Sequence, residues 1–267
     1  MTSNQKLISF DLKAEMGFFK KPDINSGIYK GISCSLSMSY NMLHKPVLLG
    51  ILGAIAGLQG YQKNGSFPVY YQRLKHLKIG VAPLGSDNGN FTKDIVTYNN
   101  GTGFASSEGE GNLVVREQIL IKPSYRCYLL LNLDNEAEKV LYDRIAKYEA
   151  EFLPYMGKND FSAWWENVRE YDFAKFSITG NYKIASVFAK TEAVTDYIVR
   201  SLFMSSKESK VPVFVYFERL PIGFDEQLMQ YNYADFVYSN ATFSKEMDMS
   251  AAGDFYTLNN SEVIQLF

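Results

Sequence analysis

The spacing of apolar and polar positions divides the chain into a series of short elements. Residues 6–13 alternate and predict a strand, while the apolar run at 46–60, with Pro46 in its first turn, predicts a helix. A second helix is predicted at 135–152, where apolar side chains share one face. Further strands are predicted at 77–82, 113–121, 125–133, 211–220 and 255–267. This order predicts an α+β protein with a ferredoxin-like core and a β-rich C-terminal part.

One long segment, residues 83–112, carries few apolar positions and many glycine, serine and asparagine residues. Loops of this length inside compact domains are usually functional or disordered. Since it is followed at once by a predicted strand, we expect a β-hairpin that projects from the core.

The first predicted helix contains four glycines, Gly50, Gly53, Gly57 and Gly60. Glycine costs roughly 1 kcal/mol against alanine in a helix, so close packing must offset the cost. We expect the glycines to form a stripe against which another backbone packs. His44 and Lys45 stand just ahead of the helix, where free N–H groups favour anions, so they predict a phosphate site with an exposed Lys45. The alternative is a purely structural helix.

Charge is unevenly distributed along the 267 residues, although the formal net charge is only −2. Residues 1–80 carry ten Lys or Arg and three Asp or Glu, whereas residues 134–267 carry thirteen and twenty-one. A basic front joined to an acidic back favours a polyanion on one side and a protein partner on the other. Two ordinary solvated faces would give the same pattern.

Other compositional signals exclude several classes of site. Two cysteines without a CxxC pair and two histidines argue against a disulfide scaffold or a zinc centre, so we expect no metal and no cofactor. No GxxxxGK[ST], GxSxG or HExxH motif is present. The N-terminus has no basic-then-apolar leader and no apolar run is long enough to span a bilayer, so we expect a cytoplasmic protein without a membrane partner.

Three segments together resemble a known family. The stretch "KGISCSLSMSYNMLHKPVLLGILGAIAGLQ" is similar to the first-helix segment of CRISPR-associated family-five proteins, the Cascade subunits that cap the 5′ end of the guide RNA. "LISFDLKAEMGFFKKPD" resembles their first strand and loop, and "PYMGKNDFSAWWENV" resembles their glycine loop. The version here is most similar to the type I-B branch, and the resemblance spans the chain in order.

The resemblance implies an RRM-related, ferredoxin-like domain at 1–155 with a hairpin thumb at about 83–116, followed by a β-rich part at 156–267. It further implies a non-catalytic subunit that binds the crRNA 5′ handle and contacts the Cascade backbone and large subunits, with target DNA reached indirectly. The RNA-binding residues implied are Phe18, Lys20, Lys21, Tyr40, Asn41, His44, Lys45, Phe104, Arg116, Gly157, Lys158 and Asn159. Cations and aromatic platforms of this kind hold single-stranded RNA.

An endoribonuclease that processes precursor crRNA without a metal is the alternative, because one branch of the family, type I-C, uses a Tyr with nearby Lys and His. Tyr40, His44 and Lys45 stand close together in this sequence. The later Lys-His pair of that branch is missing, since the corresponding region reads "REQILIKPSYR". We therefore favour RNA binding without cleavage.

We predict that the tip of the hairpin is dispensable for folding. The stretch "NNGTGFASSEGEGN" (99–112) contains one large apolar residue, Phe104, and so has little to bury. A short Gly-Ser replacement should leave the melting temperature nearly unchanged and weaken incorporation into an RNA complex. Thermal melting and co-purification measure the two effects, and a large loss of stability would place the segment in the core.

Overall fold

The computed structural model describes residues 4–22, 28–29, 32–33, 36–62, 65–100, 113–204, 212–245, 247 and 253–267. The N-terminal half contains strands β1 (Gln5–Ala14), β2 (Met16–Gly17), β3 (Phe19–Lys20), β4 (Ile28–Tyr29), β5 (Ile32–Ser33), β6 (Leu36–Ser37) and β7 (Ser39–Tyr40), helices α1 (Lys45–Ala56) and α2 (Val69–Leu74), and strands β8 (Lys78–Pro83), β9 (Lys93–Asn100), β10 (Leu113–Ile121) and β11 (Ser124–Asn132). The remainder contains α3 (Glu136–Lys147), β12 (Ala163–Tyr171), β13 (Phe173–Lys175), β14 (Phe188–Ala189), α4 (Glu192–Met204), β15 (Val215–Asp225), β16 (Gln230–Ser239), β17 (Asp254–Leu258) and β18 (Val263–Leu266).

The central element is a four-stranded antiparallel sheet with strand order β12-β1-β11-β8. Along the chain, α1 and α2 connect β1 to β8, and α3 connects β11 to β12. One face of β1 packs in the main core through Ile8, Phe10 and Leu12, and Leu7 on the other face belongs to a second cluster with residues of β17 and β18. Because both faces are covered, most of β1 is buried. The fold is thus mixed α and β with mostly antiparallel sheets, which confirms the α+β prediction.

Helix α1 is apolar on nearly all sides and shorter than the predicted 46–60. It ends at Gly57, which has a left-handed φ of 75°, while the N–H of Leu58 donates to the carbonyl of Gly53 at 2.8 Å. Helix α3 begins after Asn135, whose side chain accepts from the N–H groups of Ala137 and Glu138. It ends at Tyr148, also left-handed with φ 59°, four residues before the predicted end.

We expected a backbone to pack against the glycines of α1. That prediction is wrong, because the packing partner is a side chain. A Cβ placed on Gly53 would lie 2.4 Å from the Cβ of Tyr70, so it is a side chain of α2 that packs against the helix here. Gly57 is required for a different reason, the left-handed conformation that ends the helix. A Cβ placed on Gly60 would meet no atom within 4 Å, so this glycine faces open space.

The predicted hairpin is present as β9 and β10, which pair from Leu113 opposite Asn100 to Leu120 opposite Lys93. The residues between these strands, including Phe104, lie outside the described part of the chain. The start of the predicted thumb belongs to the core instead, because the N–H of Leu84 donates to the carbonyl of Ser124 and Phe91 is buried. The strand predicted at 113–121 is confirmed.

The C-terminal part forms two small sheets, with orders β13-β17-β18 and β14-β16-β15. The long hairpin β15–β16 packs beside α1, and Leu220 and Phe236 join the main core. The domain boundary at 155/156 stays a prediction, although β12 beyond it belongs to the first sheet. Among the helices in the described ranges, none is long and apolar enough to cross a membrane.

We predict that Gly53→Ala destabilises the protein by about 1–3 kcal/mol, because the new methyl group must displace Tyr70. Gly50→Ala is the matched control on the same helix: its Cβ would lie 3.7 Å from the Tyr70 ring, an ordinary contact. The control should be neutral or stabilising, since alanine favours the helix by roughly 1 kcal/mol. Urea unfolding measures both, and equal effects at the two positions would contradict the packing described here.

Candidate nucleic-acid interface

A groove of about 500 Å³ lies where the base of the β9–β10 hairpin, the β3–β7 pair and the β15–β16 hairpin meet. We call it the hairpin groove. Its lining consists of three cations, one carboxylate, four aromatic rings and three uncharged residues: Lys21, Lys93, Arg219, Glu218, Tyr40, Tyr216, Phe217, Tyr233, Met38, Ser39 and Gln118. A surface of this composition suits a chain that carries both negative charge and flat rings.

Cations of the groove lie over aromatic faces. The amine of Lys21 is 5.0 Å from the centre of the Tyr40 ring, and the guanidinium of Arg219 is 5.1 Å from that of Tyr233. Lys190 lies in the same way 5.3 Å over Phe217, which is 42% exposed. At Arg219 and Lys190 the pair places a positive charge beside a ring that is at least partly exposed, whereas the Tyr40 ring is buried.

Glu218 holds the groove together from within. Its side chain is 7% exposed and accepts the backbone N–H groups of Asn41 and Met42 at 3.1 and 2.9 Å. It also accepts the hydroxyl of Tyr216 at 2.8 Å and pairs with Lys21 at 3.2 Å. Burial, together with this carboxylate, raises the pKa of Tyr216, which therefore stays a donor. The carboxylate is thus fully engaged by the protein.

The hairpin presents different residues on its two faces. Arg116 and Gln118 are two positions apart on β10 and share one face, and Gln118 lines the groove. Glu117 lies on the opposite face, where Lys158 donates to its carboxylate at 2.7 Å and to the hydroxyl of Tyr98 at 2.8 Å. Of the predicted RNA-binding cations, Lys21 and Arg116 are therefore on the groove side and Lys158 is not.

The loop that contains Gly157 packs against Phe18, which lies between β2 and β3. Gly157 has a φ of 87°, and a Cβ there would lie 1.7 Å from the carbonyl oxygen of Phe18, so only glycine fits. Phe18 is buried, and its N–H donates to the carbonyl of Met156. Lys20 and Asn159 are exposed. The role of this loop in the structure is to fix the β2–β3 turn.

Asn41 is placed inside the protein rather than on a binding surface. It is 2% exposed, and its amide donates to the carbonyl of Gly89 at 2.7 Å and accepts the N–H of Phe91 at 3.0 Å. The hydroxyl of Tyr125 donates to its backbone carbonyl. The side chain joins the start of α1 to the base of the thumb, and it has no hydrogen-bonding group left for RNA.

His44 is also buried, at 2% exposure, within the rings of Phe19, Tyr40 and Tyr231. Its Nδ1 atom has no hydrogen-bond partner, and burial lowers the pKa to about 3. The imidazole is therefore neutral at physiological pH. It does not supply the positive charge that the sequence suggested for the start of α1.

Lys45 is half-buried, which corrects the expectation of an exposed cation. Its amine donates to the backbone oxygen of Phe267 at 3.0 Å. Burial, with a smaller effect of Lys78, lowers its pKa to about 8. Since His44 is neutral and Lys45 already donates to a carbonyl, the helix start lacks the two free cations on which the predicted phosphate site rested.

Nine of the eleven residues that line the hairpin groove were not among the predicted RNA-binding residues. Arg219, Phe217, Tyr233 and Glu218 come from the C-terminal hairpin, and Lys93 begins β9. The run containing residues 215–220 was predicted as a strand, but nothing in the sequence indicated that it would pack beside residues 39–42.

Comparison with known proteins finds no match to a family model and no match to a curated protein. Among solved structures, a CRISPR RNA-guided surveillance complex is similar at 11% identity, 87% coverage of this chain, 90% of that chain and a TM-score of 0.44. A CRISPR protein from Archaeoglobus fulgidus is similar at 12% identity, with 98% of this chain and 98% of that chain covered and a TM-score of 0.45. A functionally uncharacterized protein from Streptococcus mutans is similar at 11% identity, with 91% of this chain and 92% of that chain covered and a TM-score of 0.36. Likenesses this remote carry no argument about function.

We predict that His44 makes stability fall with acidification. The folded pKa of about 3 lies below the ordinary value of 6.5, so the unfolded chain binds the proton first as the pH falls. Unfolding free energy should therefore decrease below pH 6.5 with a slope approaching 1.4 kcal/mol, roughly, per pH unit from this residue. Denaturant titrations above pH 5, roughly, keep most carboxylates ionised.

The variant His44→Phe keeps an aromatic ring among aromatic neighbours and should remove this contribution. His76→Gln is the control, because His76 is half-exposed beside Glu138 and should leave the His44 contribution in place. An unchanged slope in His44→Phe would show that the imidazole is not buried as described.

Proposed function

We propose that this protein is a non-catalytic subunit of a CRISPR type I effector complex, in which it binds the 5′ handle of the crRNA. The observation that carries the proposal is the hairpin groove, where Lys21 and Arg219 lie over aromatic rings at the base of a long hairpin. The sequence resemblance to family-five Cascade subunits supports it. The sheet order β12-β1-β11-β8, with its helical connections, supports the ferredoxin-like, RRM-related core that we propose for this subunit.

The chemistry of the groove favours single-stranded RNA over a duplex. Its cations are few and stand next to ring faces, an arrangement that contacts a phosphate and stacks an unpaired base. A duplex keeps its bases stacked on one another and offers the groove only phosphates. In the proposed role, the strand lies along the β10 face that carries Arg116 and Gln118.

We propose that the bound RNA is not cut. A metal-free cleavage needs a base at the 2′-hydroxyl and a cation or acid at the departing oxygen. Tyr40 is 3% exposed, His44 is enclosed by rings, and Lys45 donates to Phe267. No histidine is among the residues that line the hairpin groove in the described part of the chain. Incubation of repeat RNA with the protein in EDTA tests this, and a specific cut would establish the endoribonuclease.

The proposed assembly includes the backbone and large subunits of the complex, with target DNA held through them. The uneven charge of the chain fits such a role, because RNA occupies the basic side and proteins contact the rest. We expect a cytoplasmic ribonucleoprotein that acts in antiviral defence or RNA-guided DNA targeting.

We predict that Arg219→Gln weakens RNA binding without affecting folding. Arg219 is exposed, so thermal melting should not change. The affinity for single-stranded RNA should fall severalfold, and the slope of log affinity against log salt should decrease by about one. Lys147→Gln on α3 is the matched control, since it removes one exposed charge outside the groove.

A pair of variants at Tyr233 measures how much the aromatic ring contributes to RNA binding, separately from the charge of Arg219. Tyr233→Ala should weaken binding, whereas Tyr233→Phe keeps the stacking surface and should bind nearly as the parent. Fluorescence anisotropy with a labelled single strand and a labelled DNA duplex at the same ionic strength measures all four variants. If Arg219→Gln and Lys147→Gln behave alike, or if duplex DNA binds as tightly as the single strand, the groove is not the binding site.

A further inference from the structure

A second cavity, of about 390 Å³, lies between α1, the turn at 58–61 and the loop at 152–157, and Phe224 and Tyr231 of the β15–β16 hairpin also line it. We call it the apolar groove. Its lining includes Gly50 and Gly60 as well as the large side chains of Tyr61, Phe152, Leu153 and Tyr231. None of the residues that line it carries a charged side chain. The groove therefore differs in chemistry from the hairpin groove.

Four tyrosines, Tyr61, Tyr70, Tyr155 and Tyr231, line this groove. Burial raises the pKa of Tyr70, and the phenols of Tyr61, Tyr231 and Tyr155 raise it further, which shows that the four lie near one another. Their hydroxyls form no hydrogen bond with the described residues, and none of them is a fully buried group that lacks a partner. They are neutral donors and acceptors that face the groove, and apolar walls with a few such groups are typical of binding sites.

The rim of the groove is strongly apolar. Tyr61, Phe152 and Leu153 are 61%, 50% and 68% exposed. Their exposure is built into the fold, because the N–H groups of Glu151 and Phe152 donate to the carbonyls of Ile55 and Ala54 at the end of α1. A held loop that presents neighbouring large apolar side chains beside a cavity is typical of an interaction surface.

The charges around the groove favour a polypeptide over RNA. Among the described residues beside the groove, three cations are bound to protein oxygens: Lys45 to Phe267, Arg144 to Ile55 and Glu151, and Lys158 to Glu117 and Tyr98. Glu149, three residues before Phe152, is exposed and forms no ion pair within the described ranges. These three cations are thus already engaged and offer little to a phosphate backbone, whereas a basic residue would meet the carboxylate of Glu149.

We infer that the apolar groove is a docking site for a segment of a partner protein, which inserts one large apolar side chain and carries a Lys or Arg beside it. The inserted side chain would fill the space above Gly60, and the tyrosine hydroxyls would bond to the peptide groups on either side. This inference does not depend on RNA binding in the hairpin groove.

The test is a selection of random peptides displayed on phage against the full chain, with counter-selection on Gly60→Leu. That variant adds a large side chain at a position that lines the groove without a clash, because a Cβ at Gly60 would meet nothing within 4 Å. We expect enriched peptides to share a Trp, Phe or Leu with a nearby Lys or Arg. A resynthesised peptide should bind Gly60→Leu about tenfold or more weakly in calorimetry. Binding should also fall in Leu153→Ser and Glu149→Lys.

Gly180→Leu is the matched control, since its Cβ would also meet nothing within 4 Å and it lies outside the groove, so peptide binding should be unchanged. The inference is overturned if no peptide is enriched over the counter-selection, or if the peptides are acidic. It is also overturned if single-stranded RNA competes for the groove, or if sedimentation shows self-association that Gly60→Leu abolishes, which would assign the groove to RNA or to a second copy. RNA binding that is unchanged in Gly60→Leu but weakened in Arg219→Gln keeps the two surfaces separate.

Discussion

The buried carboxylate of Glu218 is the constraint on which the arrangement of the molecule depends. A charge taken out of water is strongly destabilising unless it is paired and hydrogen-bonded. Glu218 meets that requirement with two backbone N–H groups, from Asn41 and Met42, and with Tyr216 and Lys21. The donors at 21 and 41–42 are available only when the C-terminal hairpin lies against the segment before α1. The same contacts that satisfy the charge therefore create the hairpin groove.

The segment that Glu218 holds is rich in polar residues and yet belongs to the interior. Asn41 joins Gly89 and Phe91, His44 lies among three rings, and Lys45 reaches Phe267. Among the buried side-chain nitrogen and oxygen atoms of residues 39–45, only Nδ1 of His44 lacks a hydrogen-bond partner. These residues resemble an RNA-binding motif, but their contacts connect the base of the thumb, α1 and Phe267. The proposed binding surface is formed by their neighbours.

Local signals in the sequence predicted the elements well and the site only in part. The runs at 113–121 and 125–133 have strand periodicity, and the structure has strands at Leu113–Ile121 and Ser124–Asn132. Helix ends were placed too late because the left-handed residues Gly57 and Tyr148 stop the helices within apolar sequence. The burial of Asn41 could not be predicted from the local sequence, because its backbone N–H donates to the carboxylate of Glu218, which lies 177 residues further along the chain. Lys21 and Tyr40 were predicted because the family resemblance placed the RNA handle near them, and both line the hairpin groove.

The two grooves owe their different chemistry to one strand. Tyr231 and Tyr233 are two positions apart on β16, so they share a face, and their ring centres are 6.1 Å apart. Tyr233 lies under Arg219 in the hairpin groove, while Tyr231 lines the apolar groove beside Phe224. The His44 ring contacts both Tyr40 of the first groove and Tyr231 of the second. Because burial keeps this imidazole neutral, it packs as one more ring between the two grooves and places no charge beside the apolar one. Among the residues that line the two grooves, cations therefore occur only in the hairpin groove, and the same hairpin can offer a polyanion one surface and an uncharged side chain the other.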